Sequence, residues 1–205
     1  MAMTADEVLK MAKDKEVKFV DFRFTDTRGK EQHVQVPIKY FTKDKFESGH
    51  AFDGSSIAGW KGIQASDMLL MPDPATARMD PFSDEPMLNI SCDVFEPTDG
   101  KPYDRCPRGI AKRAEAYLKS SGVGDVAYFG PEPEFFIFDG VTFNVDMSGC
   151  FVKIKSEEAP WSAGIDYESG NMGHRAPLKG GYFPVPPFDT LGDIPNAMVL
   201  AVEHQ

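Results

Sequence analysis

VKFVDFRFTDTRGKEQHVQV, Val17 to Val36, decides how the chain begins to fold. β-Branched and aromatic residues run on either side of Asp26-Thr27-Arg28-Gly29, whose residue types suit a tight turn, so the stretch reads as a β-hairpin. Upstream, Thr4-Ala5-Asp6-Glu7 has the capping-box form, and Val8, Met11 and Ala12 follow at helical spacing, which predicts a short N-terminal helix. Downstream, Leu88 to Val94 alternates Leu, Ile, Cys and Val with Asn, Ser and Asp, the pattern of a strand with one buried face. These elements make an α+β domain ending near Pro97. The turn-rich EPTDGKPYDRCP follows, then a helix opened by Pro107, with Ile110, Ala114, Tyr117 and Leu118 on one face and Gly122 past its end. The linker divides the chain into residues 1–100 and 101–205, with no internal repeat or low-complexity tract.

Composition narrows the partners. Of 205 residues, 22 are Lys or Arg and 32 Asp or Glu, giving a net charge of −10 without a basic run. That is not the electrostatic footprint of a nucleic-acid or anionic-membrane binder; cations are its natural guests. Three widely separated cysteines, Cys92, Cys106 and Cys150, suggest neither a disulfide framework nor a paired-cysteine metal site, and fit a reducing compartment. The polar start MAMTADEV and the lack of a long apolar run predict a cytoplasmic chain without signal peptide or membrane span. In that setting the sequon Asn89-Ile90-Ser91 is incidental.

FGPEPEFF, Phe129 to Phe136, sets two glutamates between prolines and aromatics. The aromatic content of Asp125 to Phe138 predicts a strand. Extended backbone would put Glu132 and Glu134 on one face about 7 Å apart, from a rise of about 3.3 Å per residue. Pro131 and Pro133 remove donors from one edge, while Ala127, Phe129, Phe135 and Ile137 should pack inward. Two readings stand: an edge strand with a solvated acidic face, or a carboxylate for each of two neighbouring cations. Two further stretches are unusual. AFDGSSIAGWKGIQASDMLLMPDP, Ala51 to Pro74, is either a surface loop or an ordered functional one, since loops of that length rarely lack regular structure in compact domains. GNMGHRAPLKGGYFPVPP, Gly170 to Pro187, is glycine-rich but has the spacing of neither a P-loop nor a dinucleotide fingerprint, so its residues alone allow a plain connector.

FDGSSIAGWKGI with ASD following, FGPEPEFF, and GHRAPLKGGYFPVPP, in this order and at these separations, resemble the type I glutamine synthetases of bacteria. EVKFVDFRFTDTRGKEQHV and CPRGIAKRAEAYL are similar to the family as well, so the likeness covers the whole chain. It implies a small β-grasp-like N-terminal domain followed by the opening part of an α+β catalytic domain. It also implies ligation of ammonium to glutamate at the expense of ATP, through a γ-glutamyl phosphate. Carried over by resemblance, Glu132 and Glu134 each hold a different member of a Mg²⁺ or Mn²⁺ pair. Such ions suit hard oxygen ligands and offset the repulsion between two anionic substrates. Asp53 and Ser56 would border an ammonium pocket with Tyr182 beside it, and Trp60 would belong to the same inter-subunit wall. The family builds its sites between neighbouring subunits of stacked rings, a homo-dodecamer.

One departure accompanies the likeness. DIPNAMVLAVEHQ, from Asp193, has a capping residue and apolar residues at helical spacing, yet no stop signal before Gln205. The chain is therefore expected to be cut inside a helix, with the remaining ligands of the family site beyond it and no activity of its own. Two alternatives are a γ-glutamyl-amine ligase of the same family and a non-catalytic interaction or regulatory fragment.

Overall fold

Alternation in two strands builds the first half of the molecule. In β1 (Phe19–Thr25), Val20, Phe22 and Phe24 point to one side and are buried; in β6 (Met87–Phe95), Leu88, Ile90, Cys92 and Val94 do the same. Parallel pairing of these strands in register, Val20 with Leu88 and Phe22 with Ile90, merges the two apolar rows into one face. The structure is a computed structural model and describes residues 3–162, 164–168, 170, 173 and 175–203.

Around this pair, β2 (Glu31–Pro37) returns antiparallel to β1, β4 (Asp67–Pro72) pairs antiparallel with β6, and β3 (His50–Asp53) lies outside β4. The sheet order is β2-β1-β6-β4-β3, with the short β5 (Arg78–Met79) also on β6. The expected hairpin turn forms around Asp26, whose carboxylate accepts from the amides of Arg28 and Lys30, while Gly29 takes φ 82°. Helix α1 (Ala5–Asp14) begins with the expected reciprocal Thr4–Glu7 box and sends Val8 and Ala12 into the core. Phe22, Met68, Leu70, Leu88 and Ile90 are the largest residues fully removed from water, each contributing roughly 1.5–3 kcal/mol of transfer free energy. The segment Ala51 to Pro74 is mostly structured: it contains β3, the one-turn 3-10 helix Gly54–Ser56, a second at Ile63–Ala65, and β4, besides the short α2 (Asp44–Ser48) just ahead of it.

Helix α3 (Pro107–Ser121) starts at Pro107 and stops where Gly122 adopts the left-handed conformation, as the sequence predicts. Its expected apolar face is open: Ile110 and Tyr117 are exposed, and only Gly109 is buried. Gly109 sits against Cys106.

Two compact units divide the chain, residues 1–129 and 130–205. The second contains the hairpin β7 (Gly140–Asp146) and β8 (Gly149–Lys155) and helix α4 (Asp193–Glu203). The strand expected at Asp125 to Phe138 is not formed: among the described residues no ladder partner pairs with it, and Phe129 and Phe135 are exposed, not packed. Strands exist only in pairs, and Pro131 and Pro133 withhold two of the donors that a partner would need. Asn171, Met172 and His174 of the glycine-rich stretch, and His204 and Gln205 of the expected helix end, lie outside the described residues.

Candidate functional site

Strand periodicity fixes where Asp53 points. In β3 the side chains of His50 and Phe52 are half-buried toward the core, so Ala51 and Asp53 take the opposite, exposed face. Asp53 then caps the one-turn helix that follows. Its Oδ1 accepts from the Ser55 amide at 2.8 Å and the Ser55 hydroxyl at 2.6 Å, and its Oδ2 lies 3.4 Å from Ser56 Oγ. The Ser55 hydroxyl and amide hold the Asp53 carboxyl below its ordinary range, so it is an anion at neutral pH. Thus Asp53 and Ser56 are brought together by the local turn. The register also places Asp67 directly opposite Asp53. Opposed residues on an antiparallel pair lie with Cβ atoms about 4.5–5.5 Å apart, and like charges there repel unless a cation intervenes. Asp67 could not have been assigned from spacing alone, since strand register is what brings it to Asp53.

Gly54 permits this turn. A Cβ there would lie 2.2 Å from Met68 Sδ and 3.1 Å from the Ser66 carbonyl, while the Gly54 amide donates to that carbonyl at 2.7 Å. Six residues further on, Trp60 is buried within the first unit. Its ring packs against Phe24, Phe52 and Tyr103 with centroids 5.6, 6.3 and 5.3 Å away, and its indole N–H has no acceptor among the described residues.

Glu132, Glu134 and Tyr182 belong to the second unit. Both glutamates are exposed, as is Tyr182, whose ring lies 4.2 Å from that of Phe183. Among the described residues no hydrogen bond or ion pair joins these three, and no group of three or more His, Cys, Asp or Glu is arranged to hold a metal ion. Among the described residues no lysine or arginine pairs with Glu132 or Glu134, so both carboxylates are open as hard oxygen donors, two of the roughly six or more that such a cation takes. In the glycine-rich segment before Tyr182, the Gly180 amide closes a turn on the Pro177 carbonyl at 2.8 Å, where a Cβ would strike the Pro177 ring.

Comparison with known proteins gives the same pattern along the whole chain. Residues 16–97 match the model of the glutamine synthetase β-grasp domain, and residues 104–205 match that of the glutamine synthetase catalytic domain. Over 203 residues the chain is 70% identical to the 3-hydroxylaminophenol mutase of Cupriavidus pinatubonensis, covering 99% of this chain and 43% of that protein. It is 58% identical over 201 residues to the glutamine synthetase of Methylococcus capsulatus, covering 98% of this chain and 43% of the relative. Among solved structures, the cryo-EM glutamine synthetase of Plasmodium falciparum superposes with a TM-score of 0.80 at 27% identity, covering 98% of this chain and 40% of that one. The chain spans about two fifths of the length of these relatives. With a β-grasp domain followed by the first part of a catalytic domain, it belongs to the glutamine synthetase family.

Proposed function

We propose that the whole protein is a cytoplasmic, ATP-dependent glutamate–ammonia ligase, oligomeric like the stacked rings that the resemblance implies. Division into residues 1–100 and 101–205 goes with that reading. The observation that carries it is the ionised Asp53 carboxylate held by Ser55 and Ser56 on the open face of an edge strand, within a chain so similar to glutamine synthetases.

In the reaction the γ-phosphoryl group of ATP passes to the side-chain carboxylate of glutamate, releasing ADP. Ammonium first gives up a proton to water; the resulting ammonia attacks the acyl carbon, phosphate leaves with its bonding pair, and the nitrogen sheds a second proton to become the neutral amide. Mg²⁺ or Mn²⁺, when bound, would neutralise phosphate charge and align the reacting oxygens. Glu132 and Glu134 would each give one carboxylate to such ions. Asp53 would draw ammonium out of water, and Ser56 and Tyr182 would orient it through their hydroxyls. Because hydrogen bonds hold Asp53 in its ionised form, it is a weaker base than an ordinary carboxylate and serves first as the anionic wall. In the full-length protein, Asp53→Ala is expected to raise the KM for ammonium by about tenfold or more, the loss of one charged contact, while the KM values for ATP and glutamate change little. Equal losses for all three substrates would count against the assignment.

A second reading is favoured by the 70% identity to the 3-hydroxylaminophenol mutase. The protein would then also rearrange 3-hydroxylaminophenol to an isomer, a reaction with no net redox change. Incubating the full-length protein with 3-hydroxylaminophenol, without ATP or glutamate, and following the isomer by chromatography tests it. A yield no greater than a no-protein control rejects this activity.

A further inference from the structure

The segment from Asp53 to Ser66 is tied to the sheet at both ends, by β3 and β4, and its centre is held by a residue from outside it. Tyr103 lies in the connector between β6 and α3, buried to 6% exposure. Its hydroxyl donates to the Trp60 carbonyl at 3.0 Å, and its ring meets the Trp60 indole edge-on. Tyr103 is anchored in turn, since its amide donates to the Val94 carbonyl of the central strand β6 at 2.8 Å. Two neighbours reinforce the contact: the Arg105 guanidinium donates to the Gly59 carbonyl, and Lys61 lies over the Tyr103 ring while pairing with Glu96. Among the described residues the Trp60 N–H has no acceptor, so the hold on Trp60 itself falls on its backbone carbonyl and on ring packing. From Trp60 the packing continues to Phe52, the residue before Asp53.

We propose that Tyr103 is a positioning residue for the Asp53–Ser56 turn: through Trp60 it fixes the segment that carries the anionic wall, and thereby sets the affinity for the small cation. The second half of this inference rests on the reading of Asp53 as the ammonium wall. It assigns to the connector between two family domains a part in substrate binding, although Tyr103 touches no substrate.

Tyr103→Phe keeps the ring and removes only the hydroxyl, so the fold should survive it. Amide hydrogen exchange of residues 54–62, read by mass spectrometry on full-length protein, should accelerate about five- to tenfold, the loss of roughly one net hydrogen bond, while β1 and β6 keep their protection. Because a small misplacement of a binding group weakens it disproportionately, the ammonium KM should rise several-fold, with kcat and the KM values for ATP and glutamate nearly constant. Tyr117→Phe, on the open face of α3, should change neither readout. Unchanged exchange at residues 54–62 overturns the proposal, as does a loosened segment with an unaltered ammonium KM. A merely structural role would instead raise exchange in β1 and β6 together with the loop. If wild-type protein forms no glutamine, the ligase reading fails, and the exchange result alone decides whether Tyr103 holds the segment.

Discussion

At the scale of single residues, the Asp53 turn shows how sterics and electrostatics are linked. The Ser55 hydroxyl and amide hold the carboxyl below its ordinary range, and Ser55 reaches it in a turn that folds tightly against buried Met68 at Gly54. Gly54→Ala would put a methyl group 2.2 Å from Met68 Sδ and 2.7 Å from its Cγ, in a side chain with no exposed surface. Overpacking of that kind costs about 1–3 kcal/mol, and the midpoint of urea unfolding should fall accordingly. Gly59→Ala is the useful contrast. Nothing lies within 4 Å of its Cβ position, so only its φ of +81° resists the change, at roughly 1 kcal/mol. Equal effects of the two substitutions would mean that Met68 yields. Cysteine chemistry has no part in this turn: Cys92 and Cys106 are buried, and burial raises the Cys92 thiol pKa far above neutrality.

At the scale of elements, the first turns of α3 are bound to the sheet by charge. Arg108 pairs with Asp73 and, through Nε at 3.1 Å, with Asp93; Lys112, one turn later, pairs with Asp93 and reaches Asp73 at 3.7 Å. Asp73 follows β4 and Asp93 lies in β6, so two basic residues clamp one helix end to two strands. The Arg108 and Asp93 side chains are 30% and 17% exposed, which puts the cluster between a surface pair and a buried one. Arg108→Ala should therefore destabilise by about 1–2 kcal/mol, and Lys112→Ala by about 0.5 kcal/mol because its ammonium is half exposed. Both effects should shrink as salt is added. Since the two share both carboxylates, the double variant should depart from additivity, measurable as the coupling in a urea-unfolding cycle.

At the scale of the whole molecule, the two units differ in how well they are covered. The first has a continuous core from α1 across the sheet to Tyr103 and Cys106. In the second, Phe143, Val145 and Val152 of the hairpin and Val199, Leu200 and Val202 of α4 are exposed. An apolar hairpin and an apolar helix are stable in water only when another layer buries them. On the proposed reading Glu132 and Glu134 supply only part of a ligand set, so the 205 residues purified alone should form no glutamine from ATP, glutamate and ammonium above a no-protein control. In the full-length protein, the proposed division of the site between neighbours makes a further expectation. Asp53→Ala protein, assayed at ammonium well below its raised KM, and Glu132→Ala protein, short of a metal ligand, should regain activity when subunits exchange. Random mixing in equal amounts leaves roughly one interface in four intact, from two independent halves meeting head to tail. No recovery, with exchange verified by labelled subunits, would place Asp53 in its own subunit's site.

Locally encoded features were legible in the sequence: the Thr4–Glu7 box, the turn at Asp26 to Gly29, the alternation of Leu88 to Val94 and the Pro107 and Gly122 ends of α3. Each depends on contacts within a few residues, where side-chain type and backbone geometry are directly coupled. The motifs FDGSS, FGPEPEFF and KGGYFPVPP likewise carry the family likeness in the sequence itself. What the tertiary structure decided is whatever needs a distant partner. Parallel pairing of β1 with β6 created the core, register set Asp67 against Asp53, and packing buried Trp60 beneath Tyr103, 43 residues away in sequence. The same dependence explains the strand not formed around Glu132 and Glu134. Strand propensity is only a readiness to pair, and a segment with no neighbour to complete its hydrogen bonds cannot express it.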